Sequence, residues 1–213
     1  MGPPFFVGIA GNIGVGKTTM TRELAKELSW KAYYEPVINN PYLDDFYRNM
    51  PRWAFHLQVY FLSKRFQSQL EISESNSSCI QDRTIYEDVE IFARTLHEQG
   101  SMDERDYQNY RDFFGIMTSH LRPPDLILYL RADVDTLMAR IQSRGRGYET
   151  TIRRDYLEAL NQAYDRWASS RQNYARFAVL DSVHFDPDKD RTLIEKAKEI
   201  LFRELHLQTL FGS

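Results

Sequence analysis

Short apolar runs alternate with longer stretches in which apolar residues return at helical spacing. Phe5–Ala10, Lys31–Tyr34, Ser78–Gln81, Asp125–Leu130 and Phe177–Leu180 read as strands, because each is a brief apolar or β-branched run bounded by turn formers. The patterns between and after them read as helices over Lys17–Leu28, Trp53–Glu74, Glu87–Gln99, Asp103–His120, Asp133–Gln142, Arg153–Tyr174 and Asp188–Leu205. Pro51, Gly100, Pro123, Pro124, Gly145 and Pro187 punctuate the series. Strand followed by helix, repeated, predicts an α/β protein with a five-stranded parallel sheet flanked by helices in three layers. Ligands should then collect beyond the C-terminal ends of the strands.

The first strand runs into Gly11-Asn12-Ile13-Gly14-Val15-Gly16-Lys17-Thr18-Thr19, which fills every fixed position of the G-x-x-x-x-G-K-[ST] phosphate loop. A buried strand, a glycine-rich turn and a helix start aim several backbone N–H groups and the positive end of the helix dipole at one place. Lys17 would reach the β- and γ-phosphates of a triphosphate, and Thr18 would ligate Mg²⁺. The alternative is a glycine-rich strand-to-helix turn that matches by accident. The motif and its flanks predict a P-loop NTPase-type fold binding a nucleoside triphosphate.

Composition narrows the rest. A chain of 213 residues suits one domain over 1–213, and 42% hydrophobic with 27% charged residues is ordinary for a globular protein. No apolar run approaches the roughly 20 residues that span a bilayer. The first strand begins by about residue 5, which leaves no room for a targeting peptide, so no membrane and a cytoplasmic location are expected. Cys79 is the only cysteine, so a disulfide within the chain is impossible and the thiol reads as packing. A net charge of −3 makes polymeric nucleic acid a poor partner.

A phosphate loop serves kinases, switches and motors alike, so the acceptor must be sought after the later strands. Glu35 follows Ala32-Tyr33-Tyr34 and precedes Pro36, which disfavours helix there and makes it a strand-end carboxylate. With an ordinary pKa of about 4.3 it would orient an attacking hydroxyl and accept its proton late; the alternative is a solvated glutamate. After the third strand, Asp82 could hold magnesium through water and Arg83 could neutralise charge on the moving phosphoryl group. Arg140, Arg144 and Arg146 span a helix end and a glycine turn, where they form an arginine-bearing LID at about 144–150, or merely favour the helix C-terminus.

Together the phosphate loop, Tyr34-Glu35-Pro36-Val37, Arg52-Trp53-Ala54-Phe55-His56-Leu57-Gln58, Asp82-Arg83-Thr84-Ile85-Tyr86-Glu87-Asp88 and Arg140-x-x-x-Arg144-Gly145-Arg146 resemble the deoxyribonucleoside kinase family almost end to end. The resemblance implies transfer of the γ-phosphoryl of ATP to the 5′-hydroxyl of a deoxyribonucleoside with Mg²⁺, by a homodimer. It implies that Glu35 is the base, that Arg83 stands beside the hydroxyl, and that Tyr47 and Glu149 hold the sugar 3′-hydroxyl. Trp53, Leu57, Phe92 and Phe113 would wall the base, Gln58, Arg65 and Asp88 would read its edge, and Phe185 would lie near the donor adenine. The helices Trp53–Glu74 and Asp103–His120 would form the dimer interface. Many relatives have Glu-Arg-Ser where this chain has Asp82-Arg83-Thr84; the shorter acid keeps the charge and could move a magnesium-bound water.

Gln58 and Arg65 stand seven residues apart and share a helix face, while Trp53 points elsewhere. A glutamine amide offers donor and acceptor side by side, matching adenine or cytosine, and an ionised Asp88 welcomes an exocyclic amino group and repels a thymine carbonyl. That chemistry makes thymidine poor but leaves adenine, cytosine and, through Arg65, guanine open; the resemblance of Asn40-Pro41-Tyr42-Leu43-Asp44-Asp45-Phe46-Tyr47 and Gln81-Asp82-Arg83 to the bacterial members of the family implies deoxyadenosine first, then deoxycytidine or deoxyguanosine. Trp53, Phe55 and Tyr60 fit either pocket or core. Two other functions stay open on sequence: a nucleoside monophosphate kinase, and a non-catalytic nucleotide-binding accessory subunit.

Overall fold

Six consecutive buried residues make β1 (Phe6–Gly11), a run only the centre of a parallel sheet can use, since both of its faces are covered. The computed structural model describes residues 3–34, 40–147, 151–170, 175–185 and 191–207. Around β1 lie β2 (Lys31–Tyr33), β3 (Cys79–Asp82), β4 (Leu126–Arg131) and β5 (Arg176–Asp181), in the order β2-β3-β1-β4-β5. Every pairing is parallel; Phe6 stands opposite Cys79 on one side, and Val7 opposite Leu126 on the other. The sheet is therefore the expected one, with each strand bound within a residue or two of the reading.

The helices are α1 (Lys17–Leu28), α2 (Leu43–Arg48), α3 (Met50–Glu74), α4 (Ile85–Glu87), α5 (Arg94–Glu98), α6 (Glu104–Thr118), α7 (Val134–Arg144), α8 (Arg154–Ala168) and α9 (Thr192–Glu204). Two features depart from the periodicity. Residues 43–48, to which the periodicity assigns no element, form α2 by burying only Leu43 and Phe46, too short a repeat to register as a period. Asp88–Ala93, read as ordinary helix, is a π-helical segment between α4 and α5. Helix α3 starts three residues early because the Asn49 side chain accepts from the Arg52 N–H and Pro51 sits in the first turn. Helix α8 ends at Ala168, short of the expected Tyr174, which lies outside the described residues.

One side cluster has a checkable consequence. Cys79 is buried against Phe6, Tyr33 and Ile72, and that burial pushes its thiol up to about 12. At pH 8 the native protein should leave dithionitrobenzoate unreacted over an hour, and one thiol per chain should titrate in denaturant. Prompt native labelling would contradict this packing. Among the described residues no helix is long and apolar enough to cross a membrane.

Candidate active site

Where β1 meets α1 the chain must turn sharply, and Gly16 takes φ 105° as the residue before the helix. A Cβ there would lie 3.0 Å from the Phe185 ring, so glycine answers both the backbone and the space. The loop is pinned by Asn12. Its Oδ1 accepts from the Ile13 N–H at 2.7 Å, and its Nδ2 donates to the Leu157 carbonyl at 2.9 Å and to Asn161 Oδ1 at 2.7 Å on α8. Lys17 Nζ donates back to the Asn12 carbonyl at 3.0 Å. Thr18 Oγ1 donates to Asp82 Oδ2 at 2.5 Å, joining the first turn of α1 to the end of β3.

Beyond these strand ends lies a cavity of about 620 Å³, the size of small-molecule sites. Its donor end is walled by Ile13, Gly14, Gly16, Lys17, Thr18, Thr19, Arg140, Arg144 and Arg146. Its far end is walled by Tyr47, Leu57, Gln58, Arg65, Asp88 and Phe92, with Asp82 and Arg83 between the two. One face of α3 supplies Leu57, Gln58 and Arg65, as seven-residue spacing requires. The wider turn of the π segment brings Asp88 and Phe92 into the same wall.

The far end is polar, and its charged groups are buried. Arg65 Nε donates to Asp88 Oδ2 at 2.7 Å, with both side chains 2% exposed. Arg65 Nη1 donates to the Arg83 carbonyl at 3.2 Å. Gln58 is equally buried, and its Oε1 has no hydrogen-bond partner among the described residues. Arg83 holds φ 65°, donates from Nη1 to the Tyr164 hydroxyl at 2.7 Å, and lays its guanidinium 4.3 Å from the Phe92 ring centre.

Some expected residues stand elsewhere. Phe113 is 46% exposed on α6, because Tyr110 and Phe114 occupy the buried face and Phe113 falls beside it. Trp53 packs on Tyr42 and His56 with Arg52 over its ring, outside the cavity wall. Phe185 is buried behind the phosphate loop against Gly16, so it does not form an open shelf. Arg140 lines the cavity, yet its guanidinium donates to the carbonyls of Val15, Ser182, Val183 and Phe185, which ties the loop after β5 to the phosphate loop. Gly11 and Val15 are buried and are not among the cavity-lining residues. Glu35 and Glu149 lie outside the described residues, although Tyr34, next to Glu35 in the chain, lines the cavity.

The reading overlooked Phe46, Phe61 and Tyr156, which also line the wall. Burial pushes the Tyr156 phenol above the ordinary range. Tyr156 lies eight residues before Tyr164 on α8, a helical spacing that offered the only local signal.

A phosphate loop after the central strand, with Lys17 and the Thr18–Asp82 pair facing one end of a cavity whose other end is a buried polar pocket, makes this a P-loop phosphotransferase for a small acceptor. More narrowly, residues 7–205 match the deoxynucleoside kinase family model, and the chain belongs to that family. It is 42% identical over 165 residues to the deoxyadenosine/deoxycytidine kinase of Bacillus subtilis, covering 76% of each chain. It is 37% identical over 194 residues to the deoxyadenosine kinase of Dictyostelium discoideum, covering 91% of this chain and 79% of that one. The structure of deoxyadenosine kinase from M. mycoides with bound dATP superposes with TM-score 0.81 at 31% identity, covering 92% and 98% of the two chains. The protein is an ATP-dependent deoxynucleoside kinase.

Proposed function

We propose that this kinase phosphorylates the 5′-hydroxyl of deoxyadenosine first and deoxycytidine second, with deoxyguanosine behind them and thymidine poor. The observation that carries this reading is the buried Gln58 Oε1, without a hydrogen-bond partner among the described residues, in the same cavity wall as Asp88. Two acceptors in a buried wall favour an exocyclic amino group, and a base offering a carbonyl there leaves them unmatched. The names of the two relatives reported above agree with deoxyadenosine and deoxycytidine as acceptors.

In this reading Glu35 orients the 5′-hydroxyl and takes its proton late in the transfer. Tyr47 and Glu149 hold the 3′-hydroxyl, while Leu57 and Phe92 wall the base. Lys17 and Arg83 face the moving phosphoryl group from opposite sides, and Arg144 and Arg146 close over the donor phosphates. Thr18 Oγ1 and Asp82 Oδ2 are hard oxygen donors 2.5 Å apart at the mouth of the phosphate loop, a set that fits Mg²⁺ directly or through water. Bound Mg²⁺ would neutralise charge between the β- and γ-phosphates.

Phe113 belongs instead to a dimer contact, together with Ile116 at 73% exposure and Leu70 on α3, an apolar surface across the two helices that the resemblance assigns to pairing. Glu35→Gln tests the chemical assignment. We expect kcat to fall roughly 10²–10⁴-fold with the nucleoside KM within a few fold, as for loss of a positioned base. Intact kcat would remove Glu35 from the mechanism.

A further inference from the structure

We propose that Tyr164 and Glu87 are positioning residues for Arg83, setting its guanidinium relative to the phosphate loop; the inference rests on the reading that Arg83 faces the transferred phosphoryl group. Three non-glycine residues have positive φ among those described: Ser29 and His206 follow helix ends, and Arg83 alone sits in the cavity wall. Its backbone is fixed on both sides, by its N–H donating to the Ile9 carbonyl at 3.0 Å and by Arg65 donating to its own carbonyl at 3.2 Å. The side chain then crosses to α8.

There Nη1 donates to the Tyr164 hydroxyl at 2.7 Å, and that hydroxyl donates to Glu87 Oε1 at 3.2 Å. The Arg83–Glu87 separation of 3.9 Å is too long for a two-pronged ion pair, so Tyr164 is the relay that spans it. Both relay side chains are fully buried, and the Tyr164 ring stacks on Tyr129 at 5.3 Å. A buried arginine, carboxylate and phenol are a poor choice for stability alone, since apolar residues of similar volume often serve as well. Their geometric effect is specific. Leu157, Asn161 and Tyr164 recur at i, i+4 and i+7 on α8; the first two hold Asn12 of the phosphate loop and the third holds Arg83. One helix face thus sets the distance between the loop that grips the donor and the cation that meets the transferred group, a distance on which in-line transfer depends.

The test is Tyr164→Phe in the full chain, assayed with Mg-ATP and deoxyadenosine. We expect kcat to fall about 10-fold or more, with the nucleoside KM within roughly 3-fold, because a misplaced catalytic group costs turnover rather than binding. Glu87→Gln should act in the same direction and serves should Tyr164→Phe fold poorly. In an Arg83→Lys background, Tyr164→Phe should add less than about 2-fold, since lysine lacks the planar fork being held. Unchanged kcat in Tyr164→Phe and Glu87→Gln, a KM effect alone, or a full multiplicative effect on Arg83→Lys would overturn the inference. Full activity in Arg83→Lys itself would instead sink the role assigned to Arg83.

Discussion

Replacing Lys17 with alanine should lower kcat for deoxynucleoside phosphorylation on the order of 10²–10³-fold, the loss typical of one preorganised group at developing charge. The side chain is nearly buried, and its amino group is parked on the Asn12 carbonyl within the phosphate loop. From there it need only swing toward the phosphates, so the cation costs little reorganisation when the donor arrives. The loop itself does not depend on it, because Asn12 is anchored to Ile13, Leu157 and Asn161 by other bonds. Deoxyadenosine affinity, measured by calorimetry without donor, should therefore stay within about 2-fold, since the base site proposed above is built from other cavity residues, Gln58, Arg65 and Asp88. A variant keeping a tenth of the activity would show that Lys17 is not the principal cation.

The second large effect is on stability. Asp88→Ala should cost roughly 3–5 kcal/mol in denaturant unfolding, because it strands the Arg65 guanidinium at 2% exposure without its carboxylate. The loss reflects the orphaned charge and not the net worth of the pair. The double variant Arg65→Met/Asp88→Leu should therefore recover most of that stability, as apolar replacements of buried pairs commonly do. Activity should not recover with it. Asp88 is lost as the proposed acceptor for the base, and Arg83 loses the bond to its carbonyl that helps to hold φ 65°. A single-variant cost below about 1 kcal/mol would mean that Arg65 is not stranded by the loss, contradicting this account of the buried pair.

How far the chain could be read in advance follows from the range of each interaction. The sheet was legible because β1, β3 and β4 are continuous buried runs and each is followed by a helix. Helix α2 was not, since two buried residues in six make no period. The π segment was not either, because its extra residue per turn hides within an otherwise helical pattern. In the site, the phosphate loop is local chemistry, and Gln58 with Arg65 follows from helical geometry. Trp53 and Phe113 were misplaced because the face a helix turns to a cavity depends on what packs against it. Arg140 gave a second lesson of this kind. Its partners Ser182, Val183 and Phe185 come from a loop more than 40 residues away, so no local pattern could show that its guanidinium is already engaged with carbonyls. Tyr164 was equally hidden, meeting Arg83 across 81 residues of chain.

The most direct test is a set of initial rates with Mg-ATP and deoxyadenosine, deoxycytidine, deoxyguanosine or thymidine as acceptor, beside dAMP and dCMP. The buried Gln58 and Asp88 acceptors predict the highest kcat/KM for deoxyadenosine, then deoxycytidine, with thymidine lower by about 10²-fold or more and the monophosphates inert. Thymidine as the preferred acceptor would contradict the pocket, and faster turnover of dAMP or dCMP than of the nucleosides would contradict the acceptor site itself.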